Sequence, residues 1–327
     1  MRSFYGKLEH DETPKTVTLT EGAKLFQTYN IAKNLSPRTI EYYDMGIKSF
    51  KAFFGADRNC NEIEENTVFS YIAYLRQQNT RNDISINSYL RIIRTMCYYF
   101  MKFGYTRRFQ IQMIKATKQV KETYTDEELT ILLKKPNMKN TTFAEYRNWV
   151  VINYLLATGN REGTLCNVKI KDVDFNTDTI RLTKTKNRRE QIIPMSKTIR
   201  AILTDYLKLR KGDPEEYLFC NVHGRRLEEN AVRIAIMKYN RKRGVNKTSV
   251  HLFRHTFAKK WILNGGDVFR LQKILGHSSM EIVREYVNMF SDDLKRDFDV
   301  FNPLEEFSNR KKGDYIEIKP KKNRIKI

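Results

Sequence analysis

Arginine, lysine, histidine and tyrosine residues in the second half of this 327-residue sequence occur in an order that suits attack on a phosphodiester without a metal ion. A phosphate under attack develops negative charge on its non-bridging oxygens, and fixed cations can neutralise that charge. The planar, permanently charged guanidinium of arginine suits this task best, because it can bind two phosphate oxygens at once. Two arginines, a nucleophile, a base and an acid for the leaving oxygen would be sufficient.

The first candidate arginine is Arg161, which follows a predicted helix over about 143–157. Gly159 ends this helix, since glycine can adopt the positive φ that is common just after a helix C-terminus. Downstream, a predicted hairpin over 183–194 carries several basic residues near its turn, among them Lys186. An arginine after a helix and a lysine-rich turn are both common on basic proteins, so neither identifies a site alone.

The second candidate arginine comes with a histidine in the sequence HLFRHTFA. His251 and Arg254 are three residues apart, which predicts that both lie on one face at the start of a helix and could reach one phosphate. Further along, LGHSS over 275–279 contains a glycine that permits a tight turn, and a capping box then opens another helix. On that helix, Tyr286 follows His277 by nine residues. A tyrosine in an amphipathic helix is usually a core residue, so its interpretation as a nucleophile depends on the other residues.

These motifs resemble, in order and spacing, the catalytic domain of the tyrosine recombinase (phage integrase) family. The resemblance rests on TGNR, on the lysine hairpin that ends in IIP, on HLFRHTFA, and on LGHSS followed by a tyrosine nine places after its histidine. It covers roughly residues 158–287, and the helical first domain is similar to the core-binding domain of the family in position and size. It implies a site-specific recombinase or integrase that cuts and rejoins double-stranded DNA through a 3′-phosphotyrosyl intermediate and uses neither a cofactor nor a metal ion.

For phosphate binding, the resemblance implies that Arg161 and Arg254 bind the scissile phosphate and that His277 donates a hydrogen bond to it. Tyr286 would then attack the phosphorus. The phenol of tyrosine ordinarily titrates near 10, so it must lose its proton during the attack, and a cluster of neighbouring cations makes that loss easier. The covalent bond conserves the energy of the phosphodiester, and rejoining therefore needs no ATP.

For proton transfer, the resemblance implies that Lys186, eight residues before the proline of IIP, protonates the departing 5′-oxygen, with Lys184 as the alternative. His251 would assist proton transfer from the attacking tyrosine. One position departs from the pattern of the family: three places after the first arginine, where an acidic residue is common, this chain has Thr164. Glu162 directly follows that arginine instead, so the support of its guanidinium is expected to differ.

The composition favours a nucleic-acid partner. The chain has 60 basic and 38 acidic residues, a formal charge of +22, 40% hydrophobic residues and 30% charged residues. Because the basic excess is spread through segments predicted to fold, it favours a polyanion such as DNA, with a surface that merely aids solubility as the alternative. No apolar run is long enough to span a bilayer, and the N-terminus lacks the apolar core of a secretory signal, which predicts a cytoplasmic protein. Four widely separated cysteines indicate buried thiols and no zinc site or disulfide.

The hydrophobic periodicity predicts two domains. Amphipathic helical stripes fill the first, while a capping box at Thr125 opens a second that is mostly helical, with a small sheet between 168 and 194. The predicted fold is therefore mainly α with a small antiparallel β-sheet, which corresponds to the two-domain architecture of tyrosine recombinases. The predicted boundaries are a leader over 1–19, a helical core-binding domain over 20–117, a linker over 118–123, a catalytic domain over 124–291, a C-terminal helix for protomer contact over 292–307 and a basic tail over 308–327.

Several basic residues are candidates for contact with DNA phosphates. One group lies near the end of the first domain, and the other lies in the hairpin of the second. For the first group, an ordinary solvated helix face is the competing interpretation. The candidates are Arg91, Arg94, Lys102, Arg107, Arg108, Lys184, Arg188 and Arg189.

The resemblance also implies an assembly. It predicts a protein that is monomeric when free, forms a homotetramer on two paired DNA sites, uses a DNA-bending accessory protein and has no membrane association. The apolar residues of 292–307 are candidates to dock on a neighbouring protomer, since an apolar face without a local core seeks one elsewhere. Two alternatives stay open: a type IB topoisomerase, which uses the same tyrosine chemistry without strand exchange, and a catalytically silent DNA-binding protein of the same fold.

Overall fold

The structure is a computed structural model that describes residues 15–78, 80–116, 122–183 and 190–276, together with Met280 and Arg284. The chain forms two compact units that divide between residues 119 and 120. Helices dominate the described residues, and they include one three-stranded antiparallel sheet, so the predicted fold class is confirmed. The C-terminal helix predicted over 292–307 and the tail over 308–327 lie outside the described residues.

The described residues of the first unit contain four α-helices and a short 3-10 helix (Cys60–Glu62). The predicted apolar stripe of the fourth helix is buried throughout, from Ile86 to Phe100. The second helix begins with Pro37, whose fixed φ suits the first helical position, and the Ser36 hydroxyl accepts a hydrogen bond from the Thr39 amide at 3.3 Å. These helices are α1 (Leu19–Ala32), α2 (Pro37–Phe54), α3 (Glu65–Gln77) and α4 (Asp83–Lys102).

The second unit contains seven α-helices and a short 3-10 helix (Ile170–Asp172) among its described residues. Its first helix begins as predicted, because Thr125 and Glu128 form a reciprocal capping box. The short helix that directly follows Arg161 was not predicted, since four residues are too few to show a periodic pattern. The helices are α5 (Asp126–Leu133), α6 (Phe143–Thr158), α7 (Glu162–Leu165), α8 (Lys197–Arg210), α9 (Glu229–Lys242), α10 (Val250–Leu263) and α11 (Val268–Leu275).

The sheet lies inside the range that the sequence predicts for it. It consists of β1 (Val173–Asp174), β2 (Thr179–Leu182) and β3 (Gln191–Pro194), in that spatial order. In the pairing of β2 with β3, Ile180 lies opposite Ile193, and both side chains are buried. Alternate residues of a strand point to opposite faces, so the sheet has one face in the core and one towards solvent.

Helix α6 is the centre of the second unit. It packs against α5, α8, α9 and α10. Val150, Ile152, Tyr154 and Leu155 are all fully buried, as expected for a helix that is covered on most sides. The C-terminal end of α6 is therefore held firmly, and Arg161 follows that end.

The four cysteines of the chain, Cys60, Cys97, Cys166 and Cys220, are buried free thiols, as the sequence predicts. Burial raises the pKa of the Cys60 and Cys166 thiols to about 12, so they are poor nucleophiles near neutral pH. Within the described ranges, no helix has the length and apolar character needed to cross a membrane. The same residues contain no group of three or more His, Cys, Asp or Glu side chains that could hold a metal ion.

Candidate active site

The turn that carries Arg161 is fixed by buried hydrogen bonds. Gly159 has φ 62° and its amide donates to the Leu155 carbonyl at 2.9 Å, which ends α6 in a left-handed cap. Asn160 is buried, and its side-chain amide donates to the Tyr154 hydroxyl at 2.7 Å. Burial raises the pKa of Tyr154, so the phenol stays neutral beside that amide. Arg161 therefore leaves a rigid turn and becomes the N-cap residue of α7.

Arg254 lies on α10 and is 3% exposed. Its Nη1 donates to the Gly159 carbonyl at 2.8 Å, and its Nη2 donates to the Leu275 carbonyl at 2.8 Å. The guanidinium thus spans the end of α6 and the end of α11. Two hydrogen bonds to different elements fix the plane and position of a guanidinium, which is the preorganisation that phosphate binding requires.

The two candidate arginines meet at one backbone carbonyl. The Arg161 Nη1 also donates to the Leu275 carbonyl, at 3.4 Å, so both guanidinium groups lie within hydrogen-bond distance of the same oxygen. Because a guanidinium carries five N–H donors, bonds that fix its orientation are compatible with phosphate binding. The structure therefore brings together two cations that are separated by 93 positions in the sequence. Leu275 also lies two positions before His277 in the sequence.

His251 lies in the first turn of α10, where the sequence predicts it, and is exposed. Its ring makes an edge-to-face contact with the ring of His255, with 4.8 Å between the ring centroids. His251 and Arg254 therefore share the N-terminal turns of one helix, although one is exposed and the other buried. The partnership with His255 was not predicted from the sequence.

Helix α10 is held in place by Tyr124, the first residue of the predicted catalytic domain. The Tyr124 amide donates to the Thr256 hydroxyl at 2.9 Å, and the Tyr124 and Phe253 rings lie 4.4 Å apart. The Tyr124 hydroxyl accepts a hydrogen bond from the Asn240 amide at 3.0 Å, and burial raises its pKa. These contacts hold α10 in place through Phe253 and Thr256, which lie on either side of Arg254 in the chain.

The departure from the family pattern near Arg161 has a structural counterpart. Thr164 is buried in α7, and its amide donates to the Arg161 carbonyl at 3.0 Å. The Glu162 carboxylate accepts a hydrogen bond from the Arg233 Nε of α9 at 2.9 Å. The acidic residue beside Arg161 therefore ties α7 to α9.

The C-terminal end of α11 has a third polar contact, which the sequence analysis missed. The Gln191 side-chain amide, at the start of β3, donates to the carbonyls of Lys273 and Ile274. Together with the two arginines, it satisfies three consecutive carbonyls at the end of this helix. Sequence spacing gives no signal for this contact, because it joins residues more than 80 positions apart.

The other predicted residues fall into two groups. In the first unit, four of the five basic candidates are exposed and Arg94 is half-buried. Arg107 and Arg108 line a cleft of about 450 Å³ that also contains Glu64 and Glu65. The second group lies outside the described residues and consists of Lys184, Lys186, Arg188, Arg189, His277 and Tyr286.

Comparison with known proteins decides the family. The Phage integrase family profile matches residues 107–292, more than half of the chain, and the profile of the phage integrase N-terminal SAM-like domain matches residues 23–102. The chain belongs to the phage integrase family. Tyrosine recombinase XerD of Staphylococcus epidermidis is 25% identical over 284 residues, which are 84% of this chain and 95% of that protein. Tyrosine recombinase XerC of Leptospira interrogans is 28% identical over 287 residues, which are 85% of this chain and 92% of that protein.

Solved structures of two integrases share the fold. A lambda integrase dimer bound to a COC′ core site has a TM-score of 0.66 at 14% identity, over 80% of this chain and 96% of that chain. The Tn1549 transposon integrase in complex with circular intermediate DNA has a TM-score of 0.68 at 18% identity, over 83% of this chain and 95% of that chain. The family match confirms the predicted family and enzyme class, a tyrosine recombinase that acts at specific DNA sites.

Gly159→Ala should lower the stability of the protein and disturb the position of the Arg161 and Arg254 pair. A Cβ at residue 159 would lie 2.5 Å from Phe257 Cδ1 and 2.8 Å from Leu275 Cδ2, and the positive φ adds strain. Overpacking of this kind costs about 1–3 kcal/mol, and the left-handed backbone costs about 1–2 kcal/mol. We expect a lower unfolding midpoint in a thermal melt and slower DNA cleavage, because Leu275 must shift.

Gly224→Ala is the matched control for this substitution. Gly224 has a similar φ of +76°, but a Cβ there would meet nothing within 4 Å. It should therefore show only the backbone strain and keep the cleavage rate of the wild type. Equal losses of stability in the two variants would contradict the clash at Gly159.

Proposed function

We propose that this chain cuts and rejoins double-stranded DNA at specific sites through a covalent 3′-phosphotyrosyl link to Tyr286. One observation carries the proposal: the Arg161 and Arg254 guanidinium groups both donate to the Leu275 carbonyl. Two fixed cations at one point can neutralise two non-bridging phosphate oxygens. His277, the third residue proposed for phosphate binding, follows Leu275 by two positions in the sequence.

In the proposed reaction, the Tyr286 phenolic oxygen attacks the scissile phosphorus. A bond forms between that oxygen and phosphorus, and the bond from phosphorus to the 5′-oxygen breaks. The phenol gives up its proton with the assistance of His251, and the departing 5′-oxygen receives a proton from Lys186. Rejoining reverses these steps: a 5′-hydroxyl attacks the phosphotyrosine and releases Tyr286.

The arginine pair acts on the charge that develops during this attack. Arg254 is buried and already oriented by two carbonyls, so it needs little reorganisation when the phosphate arrives. In a site with little water its interaction with the phosphate is stronger than on the surface. His277 adds a hydrogen bond to the same phosphate in this proposal.

DNA as the partner is supported by charge and by relatives. The net charge of +22 favours a polyanion, and lambda integrase and the Tn1549 integrase are both solved in complex with DNA. In the first unit, we assign contact with DNA phosphates to five basic residues, of which all but Arg94 are exposed. They are Arg91, Arg94, Lys102, Arg107 and Arg108. We place this activity in the cytoplasm.

The proposed working assembly is a homotetramer on two paired sites, helped by a DNA-bending accessory protein. Lambda integrase is solved as a tetramer bound to a Holliday junction, and residues 292–307 of this chain carry Phe298, Phe301 and Leu304 at helical spacing. A chain that ends at Ser291 should bind a single site as a monomer but form no tetramer on paired sites. Mass photometry of both chains on one-site and two-site DNA checks this, and unchanged tetramer formation would refute the role of 292–307.

Covalent trapping tests the proposed chemistry. On a nicked suicide substrate, the cleaved strand loses the nucleophile needed for rejoining, so the protein–DNA adduct accumulates. We expect an adduct that resists denaturation and whose DNA-linked peptide contains Tyr286. A protein that binds the site but forms no adduct would instead be a silent DNA-binding member of the fold.

Product topology separates the proposed recombinase from a topoisomerase. A recombinase should exchange strands only on plasmids with two cognate sites. Relaxation of any supercoiled plasmid by the monomer, without exchange between sites, would favour the type IB topoisomerase.

A further inference from the structure

Gln191 lies where two parts of the proposed site meet. It is the first residue of β3 and pairs with Leu182 of β2 in the antiparallel register. Its Nε2 donates to the Lys273 carbonyl at 2.5 Å and to the Ile274 carbonyl at 2.7 Å. One side chain of the sheet is thereby bonded to the C-terminal turn of α11.

The Lys273 carbonyl of that turn also accepts a hydrogen bond from the Gly276 amide at 3.0 Å, whereas the Ile274 and Leu275 carbonyls accept from side chains of other elements. The last four carbonyls of a helix have no partner within it. Here Gln191 bonds to those of Lys273 and Ile274, while the two arginines bond to that of Leu275. The strand and the arginine pair therefore hold the same turn of α11, so a shift of one relative to the other would break hydrogen bonds.

Glutamine suits this position for a specific reason. Its amide nitrogen carries two N–H donors, one for each of two successive carbonyls. Its Oε1 lies 2.8 Å from the place that a Cβ on residue 276 would occupy, and Gly276 has φ 61°. The left-handed cap explains the glycine at residue 276, and a Cβ there would displace the flexible end of the Gln191 side chain.

Gln191 also belongs to the hairpin formed by β2 and β3. The Arg181 side chain of β2 forms an ion pair with Glu190, the residue directly before β3, with 3.4 Å from Nε to Oε1. Both side chains are more than half exposed, so the ion pair adds little. The hydrogen bonds between β2 and β3 hold the strands together, and Gln191 bonds the loop end of the hairpin to α11. Lys186, the proposed general acid, lies five positions before Gln191 in the sequence. The contact of Gln191 with α11 is therefore close along the chain to that lysine.

We infer that Gln191 is a positioning residue for the proton-transfer step, because it fixes the loop end of the hairpin relative to the arginine pair. The inference rests on the proposed role of Lys186. Arginines that hold the phosphate and a lysine that protonates its leaving oxygen must keep a fixed distance, and a misplacement of about 1 Å can cost on the order of 10²-fold in rate. Gln191 is linked to the arginine pair through one turn of α11, and it follows Lys186 by five positions in the sequence.

A substrate with a sulfur leaving group tests this inference. In a 5′-bridging phosphorothiolate, a thiolate departs in place of an alkoxide, and because a thiol titrates near 8.5 it leaves without a general acid. Gln191→Met keeps the length of the side chain and removes both donors. We expect it to cleave the ordinary suicide substrate about 10–100-fold more slowly than wild type, and the sulfur substrate at nearly the wild-type rate, with unchanged DNA affinity.

Three control variants sharpen the test. Gln191→Lys keeps a donor, with a charge that suits a helix C-terminus, and should stay close to wild type on both substrates. Lys186→Ala should also recover on the sulfur substrate. Arg254→Ala should not recover, since phosphate neutralisation is needed with either leaving group.

Two results would overturn the inference: wild-type cleavage of the ordinary substrate by Gln191→Met, or a loss that persists on the sulfur substrate while Lys186→Ala recovers. The second result would make Gln191 a residue of general structural importance, and thermal melts of the variants would show it as a lower unfolding midpoint. Failure of the proposed function looks different, because the wild-type protein would then trap no adduct on either substrate. That result would overturn the inference together with the function.

Discussion

Tyr286→Phe should abolish the covalent protein–DNA adduct and leave DNA affinity nearly unchanged. The substitution removes a single oxygen, and that oxygen is the proposed nucleophile, so no bond to phosphorus can form. DNA affinity depends mainly on phosphate contacts made by basic residues, which the variant retains. Gel analysis under denaturing conditions measures the adduct, and a titration at fixed salt concentration measures the affinity.

Tyr217→Phe is the control for this experiment, because it removes a phenol from the same unit outside the proposed site. It should form the adduct at the wild-type rate. If Tyr286→Phe still formed an adduct, another side chain would be the nucleophile, and mass spectrometry of the DNA-linked peptide would identify it. If it lost DNA binding as well, the phenol would serve binding and not attack.

Local structure was predictable from the sequence where neighbours along the chain decide it. The stripe from Ile86 to Phe100 repeats every three or four residues, and all of its apolar members are buried in α4. The capping box of Thr125 and Glu128 and the glycine cap at Gly159 lie where the sequence predicts them. Each of these features uses hydrogen bonds or side-chain spacing within one turn of helix, which a sequence displays directly.

The contacts that build the candidate site could not be predicted, because they join distant parts of the chain. The bond from Arg254 to the Gly159 carbonyl spans 95 positions, and the bond from Arg161 to the Leu275 carbonyl spans 114. Gln191 reaches across 82 and 83 positions to α11. The acceptors are backbone carbonyls, which every residue possesses, so residue type gives no signal for them.

The same reasoning explains how the family resemblance could predict the site residues without predicting their geometry. A motif records which side chains occur together, such as HLFRHTFA with LGHSS. It does not record that Arg254 is buried against two carbonyls. That burial implies that Arg254 supports the fold as well as the phosphate, and the two contributions can be measured separately.

Arg254→Ala should reduce the rate of DNA cleavage by about 10²–10³-fold or more, the usual cost of removing one group that stabilises developing charge. It should also lower stability, since the Gly159 carbonyl loses this donor, at about 1–3 kcal/mol for a buried group, whereas the Leu275 carbonyl keeps its bond from Arg161. Arg254→Lys keeps the charge but not the planar fork, so it should recover little of the rate. Cleavage is measured on the suicide substrate at a temperature well below the unfolding midpoint of each variant.

Arg147→Lys separates the effect of folding from the effect on chemistry. Arg147 is also buried in the second unit, at 6% exposure, and its Nη1 donates to the Cys220 carbonyl at 2.9 Å, yet it has no place in the proposed reaction. Its replacement should lower the unfolding midpoint much as Arg254→Lys does, while the folded protein cleaves at the wild-type rate. A similar loss of cleavage in both variants would mean that Arg254 matters for stability alone.

A DNA substrate with an uncharged linkage at the scissile position tests whether Arg254 acts on the charge of the phosphate. A methylphosphonate at the scissile position carries one negative charge less than a phosphate, so fewer cations are needed to neutralise the transition state. Arg254→Ala should therefore be much less impaired on this substrate than on ordinary DNA. An impairment of the same size on both would show that Arg254 does not act on the phosphate charge, since only a charge effect depends on the charge of the substrate.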